Sequence, residues 1–181
     1  MSRPRGVEVD SRVTWKGLAI FTVVMGLAGL WIANAPEHDE ALFPMPRGKT
    51  YVNECGSCHV AYAPGLLPSR SWRKMMAGLD DHFGEDASVQ EPVWLALLKD
   101  LEDMAADGAF ADMRMRRIAS SVPVAAAPLR FTETAYFKAL HARVPRGIWQ
   151  RQGIRTQSHC AACHPRANEG RFGEREIRIP R

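Results

Sequence analysis

The chain has 181 residues, of which 46% are hydrophobic and 24% are charged, and its formal net charge is +4. These values are ordinary for a globular protein of one domain, or of two small domains. No basic run carries interleaved aromatic side chains, so the composition argues against a nucleic-acid partner.

An uncharged run, LAIFTVVMGLAGLWIA, occupies residues 18–33. Basic residues precede it and acidic residues follow it, which predicts an N-terminus in the cytoplasm and an exported body. Ala33 and Ala35 resemble a signal-peptidase site. Pro36 is unfavourable for cleavage, however, and the run is nearly long enough to span a bilayer. We expect residues 1–35 to be either a cytoplasmic tail with a membrane anchor, which holds the body on the periplasmic face, or a signal peptide, which releases it into the periplasm.

The remaining chain divides into a linker and a body. Residues 36–49 carry three prolines and a charge cluster, so we expect a linker with little structure of its own. The body, residues 50–181, shows helical periodicity and no strand alternation longer than a few residues. The prediction is a mainly α domain with long irregular connections, preceded by the N-terminal hydrophobic helix.

The predicted helices of the body share an apolar face and recognisable ends. They are a helix over residues 72–83 ended by Gly84, a helix opened by a capping box of Ser88 and Glu91, a helix within residues 107–121, and a helix capped by Thr132 or Thr134 and stopped at Pro145.

All four cysteines fall in two Cys-x-x-Cys-His motifs, at residues 55–59 and 160–164. This pentapeptide is typical of c-type haem attachment, in which both thiols bind haem covalently and the adjacent histidine binds iron. The prediction is two haems that supply much of the core. Their attachment residues are Cys55 and Cys58 with His59 for the first haem, and Cys160 and Cys163 with His164 for the second.

Three other uses of such cysteines are a zinc site, a redox Cys-x-x-Cys pair and a disulfide framework. A zinc or redox site predicts further ligands or a thioredoxin-like pattern, and neither is found in the sequence. Disulfides leave both trailing histidines unexplained. Haem attachment accounts for every cysteine and for both histidines.

Each iron also has a second axial position, for which four histidines remain. His159 directly precedes an attached cysteine, so it cannot easily reach the far face of its own haem, and His38 lies in the acidic linker. His82 and His141 each fall near the end of a predicted helix, on its apolar face. We predict that His82 binds the first haem iron and His141 the second. The swapped pairing stays open.

Methionine is the alternative axial ligand. Five methionines are in range of the first haem but none follows the second motif, so two tandem domains that each use a downstream methionine do not fit. Arg70 and Arg130 flank the predicted ligand helices and are candidates for contacts with haem propionates. A solvated position on the surface is the alternative for both.

At these residues the chain resembles the bacterial dihaem cytochrome c family of small periplasmic bis-histidine carriers. The resemblance covers roughly residues 47–180 and rests on ECGSCHVAYAPGLLPSRSW, LDDHFGEDA, PLRFTETAYFKALH and CAACHPRANEGRFGEREIRIP. It implies electron delivery from a membrane b-type cytochrome to a small oxygen-binding monohaem cytochrome c. Family members are typically released by signal cleavage, from which Pro36 departs.

We expect an electron-transfer protein with no substrate of its own and with haems of low potential. One alternative is a dihaem oxidoreductase such as a peroxidase, which needs an open axial position and usually a longer chain. A thiosulfate-oxidising type generally uses a cysteine ligand, and no cysteine remains. Another alternative is a haem subunit of a larger membrane complex, which differs from a carrier chiefly in the lifetime of its partner contact.

Overall fold

The computed structural model describes residues 42–181 and the single position Ile20. Apart from that position, the predicted anchor or signal segment, residues 18–35, lies outside the described residues, as do His38 and the first part of the predicted linker. Among the described residues, no helix combines the length and the apolar character needed to cross a bilayer. Residues 42–181 fall within one compact unit.

Short helices joined by irregular chain build this unit, and residues 42–181 contain no strand, only two isolated bridges. The α-helices are α1 Thr50–Cys55, α2 Ser69–Met76, α3 Glu91–Asp103, α4 Met113–Ser120, α5 Ala135–His141 and α6 Arg146–Trp149. The 3-10 turns are Pro64–Leu66, Leu79–Asp81, Phe131–Glu133, Cys160–Ala162, Ala167–Glu169 and Glu174–Glu176. The predicted class, mainly α with long irregular connections, is confirmed.

The longest helix, α3, packs against α2 to form one part of the core. Leu97 and Leu101 lie one helical turn apart on α3 and are only 2% and 1% exposed. They pack in one cluster with Trp72 and Met76 of α2, and the indole Nε1 of Trp94 donates to the Met76 carbonyl at 2.9 Å. Burying a large apolar side chain stabilises the fold by about 1.5–3 kcal/mol, so this contact fixes where α2 and the following turn lie.

A second cluster of buried side chains joins both ends of the described chain. Phe43 packs with Met115 and Ile118 of α4, and its backbone N–H donates to the Gly170 carbonyl at 2.8 Å. Residues 42–49 therefore include a core side chain. This part of the predicted linker is fixed to the core, because burial of the Phe43 side chain stabilises its position there.

The helix predicted over residues 72–83 ends early. α2 stops at Met76, and His82 lies on a tight turn in which its N–H donates to the Glu85 carbonyl at 2.8 Å. The two residues inside the turn have positive φ, 58° at Phe83 and 98° at Gly84. Consecutive positive φ values are typical of a type I′ turn. The prediction of a helix C-cap at Gly84 is therefore wrong, because the glycine supplies the turn.

The predicted capping box before α3 is also wrong. The residue that caps α3 is Gln90, without a side-chain bond. The Ser88 N–H instead donates to Asp86 Oδ1 at 2.9 Å. An aspartate that bonds the backbone two residues later forms a local turn, and this turn replaces the capping box.

Helix α5, which ends at His141, begins as predicted. Of the two candidate caps, Thr134 is used, and its Oγ1 accepts from the Phe137 N–H at 3.1 Å. The helix stops at His141, and a short helix, α6, begins at Arg146 directly after Pro145. Pro145 is the N-cap residue of α6, and its ring fixes φ at −59°, a value that suits the start of a helix.

Removal of the α5 cap is expected to weaken the fold measurably. Thr134→Ala should lower the free energy of unfolding by about 1 kcal/mol, because the Phe137 N–H loses its acceptor. Denaturant unfolding followed by circular dichroism measures the change. Thr132→Ala is the matched control, since Thr132 caps no helix, and it should stay within about 0.5 kcal/mol. Equal losses in both variants would contradict the role of Thr134.

Candidate haem sites

The two cysteine motifs start from different local structures. Cys55 is the last residue of α1, and the Gly56 N–H donates to the Val52 carbonyl at 2.9 Å, so the rest of the first motif turns away from the helix. In the second motif Cys160 begins a 3-10 turn, and the His164 N–H donates to the Cys160 carbonyl at 2.8 Å. Both motifs thus bend sharply between their cysteines and their histidine.

All four thiols are free in the structure. Burial raises the pKa of the Cys55 thiol to about 11, and burial also raises the pKa of the Cys160 thiol to about 11. Zinc binds the thiolate, so these environments disfavour a zinc site. Within residues 42–181 no group of three or more His, Cys, Asp or Glu side chains could hold a metal ion.

The structure brings His59 of the first motif together with His82. Their ring centres are 6.0 Å apart and their planes are inclined by 25°. His59 Nδ1 lies 2.8 Å from the Val60 carbonyl, to which it can only donate, so Nε2 is left for another partner. His82 Nδ1 is buried without a hydrogen-bond partner. Burial first, and then the nearby charges of His59 and Arg130, lower the pKa of His82 and favour the neutral imidazole that binds metals.

A second pair joins His164 of the second motif with His141 at the end of α5. Their ring centres are 6.4 Å apart, and their planes are inclined by 79°. His141 Nδ1 lies 3.0 Å from the Phe137 carbonyl, which again leaves Nε2 free. His164 Nδ1 is buried and has no partner. Burial, and then His141, lower the pKa of His164.

Both spacings fit two imidazoles on opposite faces of one iron. An imidazole nitrogen binds a metal at about 2 Å. The ring centre lies about 1 Å further away, so two imidazoles on one metal ion have centres about 6 Å apart. The observed separations are 6.0 and 6.4 Å. The histidines and free thiols present therefore fit two attached haems.

The turn that carries His82 is held by its neighbours. Asp81 Oδ1 accepts the Gly84 N–H at 3.2 Å. Phe83 lies edge-on to His82 with ring centres 4.9 Å apart, and the Arg130 guanidinium stacks 3.9 Å above the Phe83 ring. A left-handed aromatic residue costs about 1–3 kcal/mol, which these contacts offset. The sequence pattern placed Phe83 on the apolar face of a helix, whereas the structure places it inside this turn with a positive φ.

Aromatic side chains also surround the second pair. Phe137 stacks on His141 with ring centres 4.0 Å apart and planes inclined by 22°. Trp149 of α6 lies 5.9 Å from His141, and Phe172 lies 5.3 Å from His164. The sequence did not identify Trp149 or Phe172, because Pro145 interrupts the periodicity before the first and the second lies in irregular chain.

The two candidate arginines occupy different surroundings. The Arg70 guanidinium donates to the carbonyls of Val122, Pro123 and Ala126 at 3.1, 3.1 and 2.7 Å and pairs with Asp107 at 3.6 Å. It thereby fastens the loop after α4. Arg130 stacks on Phe83 beside His82. The structure thus brings only Arg130 next to a candidate ligand, and contact with propionates stays a prediction for both.

Tyr62 connects the two sites. It follows the first motif, its ring lies 5.2 Å from that of His59, and its hydroxyl donates to the Ser158 carbonyl at 2.6 Å. Ser158 stands just before the second motif. His159 beside it is exposed, and its Nδ1 lies 3.1 Å from the Ile154 carbonyl. The two motifs are therefore braced against each other, and His159 joins neither histidine pair.

Comparison with known proteins gives a consistent result. The family model of dihaem cytochrome c matches residues 51–172. A diheme cytochrome c from Rhodobacter sphaeroides is 38% identical, with a TM-score of 0.60 over 70% of this chain and 97% of its own. A diheme cytochrome c from Shewanella baltica is 32% identical, with a TM-score of 0.60 over 75% of this chain and 95% of its own. No curated protein matches the chain.

Proposed function

Because the chain belongs to the dihaem cytochrome c family, and so carries two c-type haems in an electron-transfer protein, we propose that it passes electrons between a membrane redox donor and a periplasmic haem protein. When bound, each haem supplies an iron that cycles between the ferric and ferrous states. The observation that carries the proposal is the pairing of each motif histidine with a second histidine, at 6.0 and 6.4 Å.

The chain's own residues would divide the work as follows. Cys55 and Cys58 attach the first haem and His59 and His82 hold its iron; Cys160 and Cys163 attach the second haem and His164 and His141 hold its iron. The carbonyls that accept from Nδ1 orient two of these imidazoles, as is usual for metal-bound histidines.

The second histidine beside each motif histidine supports a carrier rather than a peroxidase. Two histidines that held each iron would leave peroxide or oxygen no site at which to bind. Two imidazoles also stabilise ferric iron better than an imidazole and a thioether do, which lowers the reduction potential. We infer negative midpoint potentials at both haems.

Mass spectrometry and a redox titration test the function together. The exported protein should carry two covalent haems, both should titrate at negative potentials, and hydrogen peroxide should not be turned over. One haem or none would refute the assignment of the motifs. Steady peroxide consumption by the isolated protein would favour the dihaem oxidoreductase instead.

Partner and location form a separate part of the proposal. The family resemblance supports a membrane b-type cytochrome as donor and a small periplasmic cytochrome c as acceptor. The uncharged run at residues 18–33 and the unfavourable Pro36 support attachment to the periplasmic face of the membrane. N-terminal sequencing of native protein is expected to find residues 1–35 still present. A mature chain that starts at Pro36 would show that they form a cleaved signal peptide.

The two haems are expected to give different low-spin signals in electron paramagnetic resonance of the oxidised protein. Imidazole planes 25° apart at the first pair act mainly on one iron d orbital. Planes 79° apart at the second pair act almost equally on two d orbitals and leave them close in energy. The second haem should therefore show the larger maximal g value. One signal that integrates to two equivalent irons would contradict this expectation.

A further inference from the structure

Charge is distributed unevenly along the described chain. Residues 42–112, which include the first motif and His82, contain 6 basic and 11 acidic residues, a net charge of −5. Residues 113–181, which include His141 and the second motif, contain 14 basic and 4 acidic residues, a net charge of +10. The overall charge of +4 conceals this separation.

The positive charge predominates in the stretch of sequence that contains both histidines of the second pair. No acidic residue occurs from residue 134 to residue 168. This stretch includes α5, which ends at His141, and α6, whose Trp149 lies 5.9 Å from that histidine. We call residues 138–155 the basic segment. Its exposed basic side chains are Lys138, Arg143, Arg146 and Arg155.

None of these four side chains forms an ion pair with any of the described residues. The acidic residues that bound the stretch are engaged elsewhere, since Glu133 pairs with Arg130 at 3.9 Å and Glu169 pairs with Arg166. Uncompensated like charges destabilise a compact fold, but they also raise the local concentration of oppositely charged molecules.

The basic segment also contains an exposed apolar side chain. Leu140, which directly precedes His141 on α5, is 62% exposed. An apolar contact with a charged rim is the usual composition of a protein interface. Lys138 and Arg143 flank Leu140 in sequence, so the rim here is positive.

We propose that the basic segment, which includes the exposed Leu140, is the surface through which the second haem exchanges electrons with a redox protein whose contact face is acidic. This inference rests on the proposed electron-transfer function. In the encounter one electron passes between the partner's redox centre and the haem iron, and no covalent bond forms or breaks. Residues 42–112, with their net negative charge, would repel such a partner, whereas the basic segment would attract it.

A protein suits this surface better than a lipid membrane does. Helices that bind membranes present an extended apolar face opposite their basic face. α5 and α6 have only seven and four residues, and Leu140 is the large apolar side chain in the basic segment that is prominently exposed. A charged surface without an extended apolar face accelerates the encounter with an oppositely charged protein, which is what a short-lived electron-transfer complex requires.

The first test uses an acidic redox protein, flavodoxin in its hydroquinone form, as electron donor to the oxidised holoprotein. The docking variant carries Lys138→Gln, Arg143→Gln, Arg146→Gln and Arg155→Gln. The control variant carries Lys49→Gln, Lys74→Gln, Arg116→Gln and Arg117→Gln, which removes the same charge from exposed positions outside the segment. At low ionic strength the docking variant should react about tenfold more slowly, because electrostatic steering contributes roughly 10–1000-fold. The control should change less than about threefold.

A second readout requires no electron transfer. Oxidised flavodoxin is titrated into the isotope-labelled holoprotein, and the amide shifts are expected to concentrate in residues 138–155 and to vanish at high salt. Shifts confined to residues 42–112 would overturn the proposal. Equal slowing of the docking and control variants would also overturn it, since net charge alone would then explain the effect.

Two further measurements separate the possible failures. Dithionite should reduce both haems in the wild type and in both variants. If it does not, the proposed function fails, whereas normal reduction with unchanged flavodoxin rates refutes only the docking surface. Vesicles of phosphatidylglycerol and phosphatidylcholine test the lipid alternative. One outcome is that the wild type sediments with the vesicles while the docking variant does not, and that both react with flavodoxin at the same rate. That pair of results would overturn the proposal in favour of a membrane contact.

Discussion

Replacing His82 with alanine is expected to convert one of the two haems to a high-spin, five-coordinate state and to leave the other low-spin. The reason is that no other described histidine is paired with His59, and the ring centres of these two are only 6.0 Å apart. An open axial position should also let that haem bind carbon monoxide in the ferrous state. Absorption spectra of the oxidised and reduced variant measure both effects.

The matched control is His159→Ala. His159 stands beside the second motif but is exposed and belongs to neither pair, so both haems should stay low-spin. To establish which haem has lost its ligand, His82→Ala is combined with Cys160→Ser and Cys163→Ser, which leaves only the first haem attached. A single high-spin haem is expected. A single low-spin haem there would show that the pairing is swapped or that His82 binds no iron.

Replacing His141 with methionine is expected to raise one midpoint potential by on the order of 0.1 V or more and to leave the other nearly unchanged. A thioether ligand stabilises ferrous iron relative to an imidazole, and axial ligands set haem potentials across about 0.8 V. Spectroelectrochemical titration of the variant measures the two midpoints. The near-infrared absorption of thioether-ligated ferric haem shows whether the methionine is bound.

Leu140→Met provides the control for this substitution. It adds a methionine at the adjacent, exposed position of the same helix, where it cannot replace His141 on the iron while the histidine remains. Both midpoints should then match those of the wild type. A His141→Met variant that shows thioether ligation with neither midpoint raised would contradict His141 as a ligand that sets the potential.

The helical class and the existence of two haems could be predicted because their signals are local. Each five-residue motif indicates haem attachment without reference to the rest of the chain. The cap of α5 is also local, because Thr134 Oγ1 accepts from the backbone N–H of Phe137, three residues later. Periodicity could not place the end of α2. The turn at His82 depends on a left-handed Phe83 held under Arg130, which is distant in sequence and leaves no trace in the local pattern.

The residues that surround the second histidine pair could not be predicted from the sequence for the same reason. Phe172 comes beside His164 through irregular chain, and Phe43, in a stretch expected to be a linker, packs edge-on to Phe172 with ring centres 5.7 Å apart. Composition marked residues 36–49 as a connection because prolines and charges dominate it. One buried aromatic side chain was enough to fix part of it to the core.

The closure of the chain upon itself bears on the order in which the protein can fold. The Phe43 N–H donates a hydrogen bond to the Gly170 carbonyl. The Tyr62 hydroxyl donates to the carbonyl of Ser158, which lies 96 residues later in the chain. Closing loops of this length costs conformational entropy, and the contacts that offset this cost form only after the distant segments have met. As the chain is exported, α1, α2 and α3 can pack soon after they emerge, whereas the second motif must wait for nearly the whole chain. We therefore expect the first haem to find a preformed pocket and the second to complete its own.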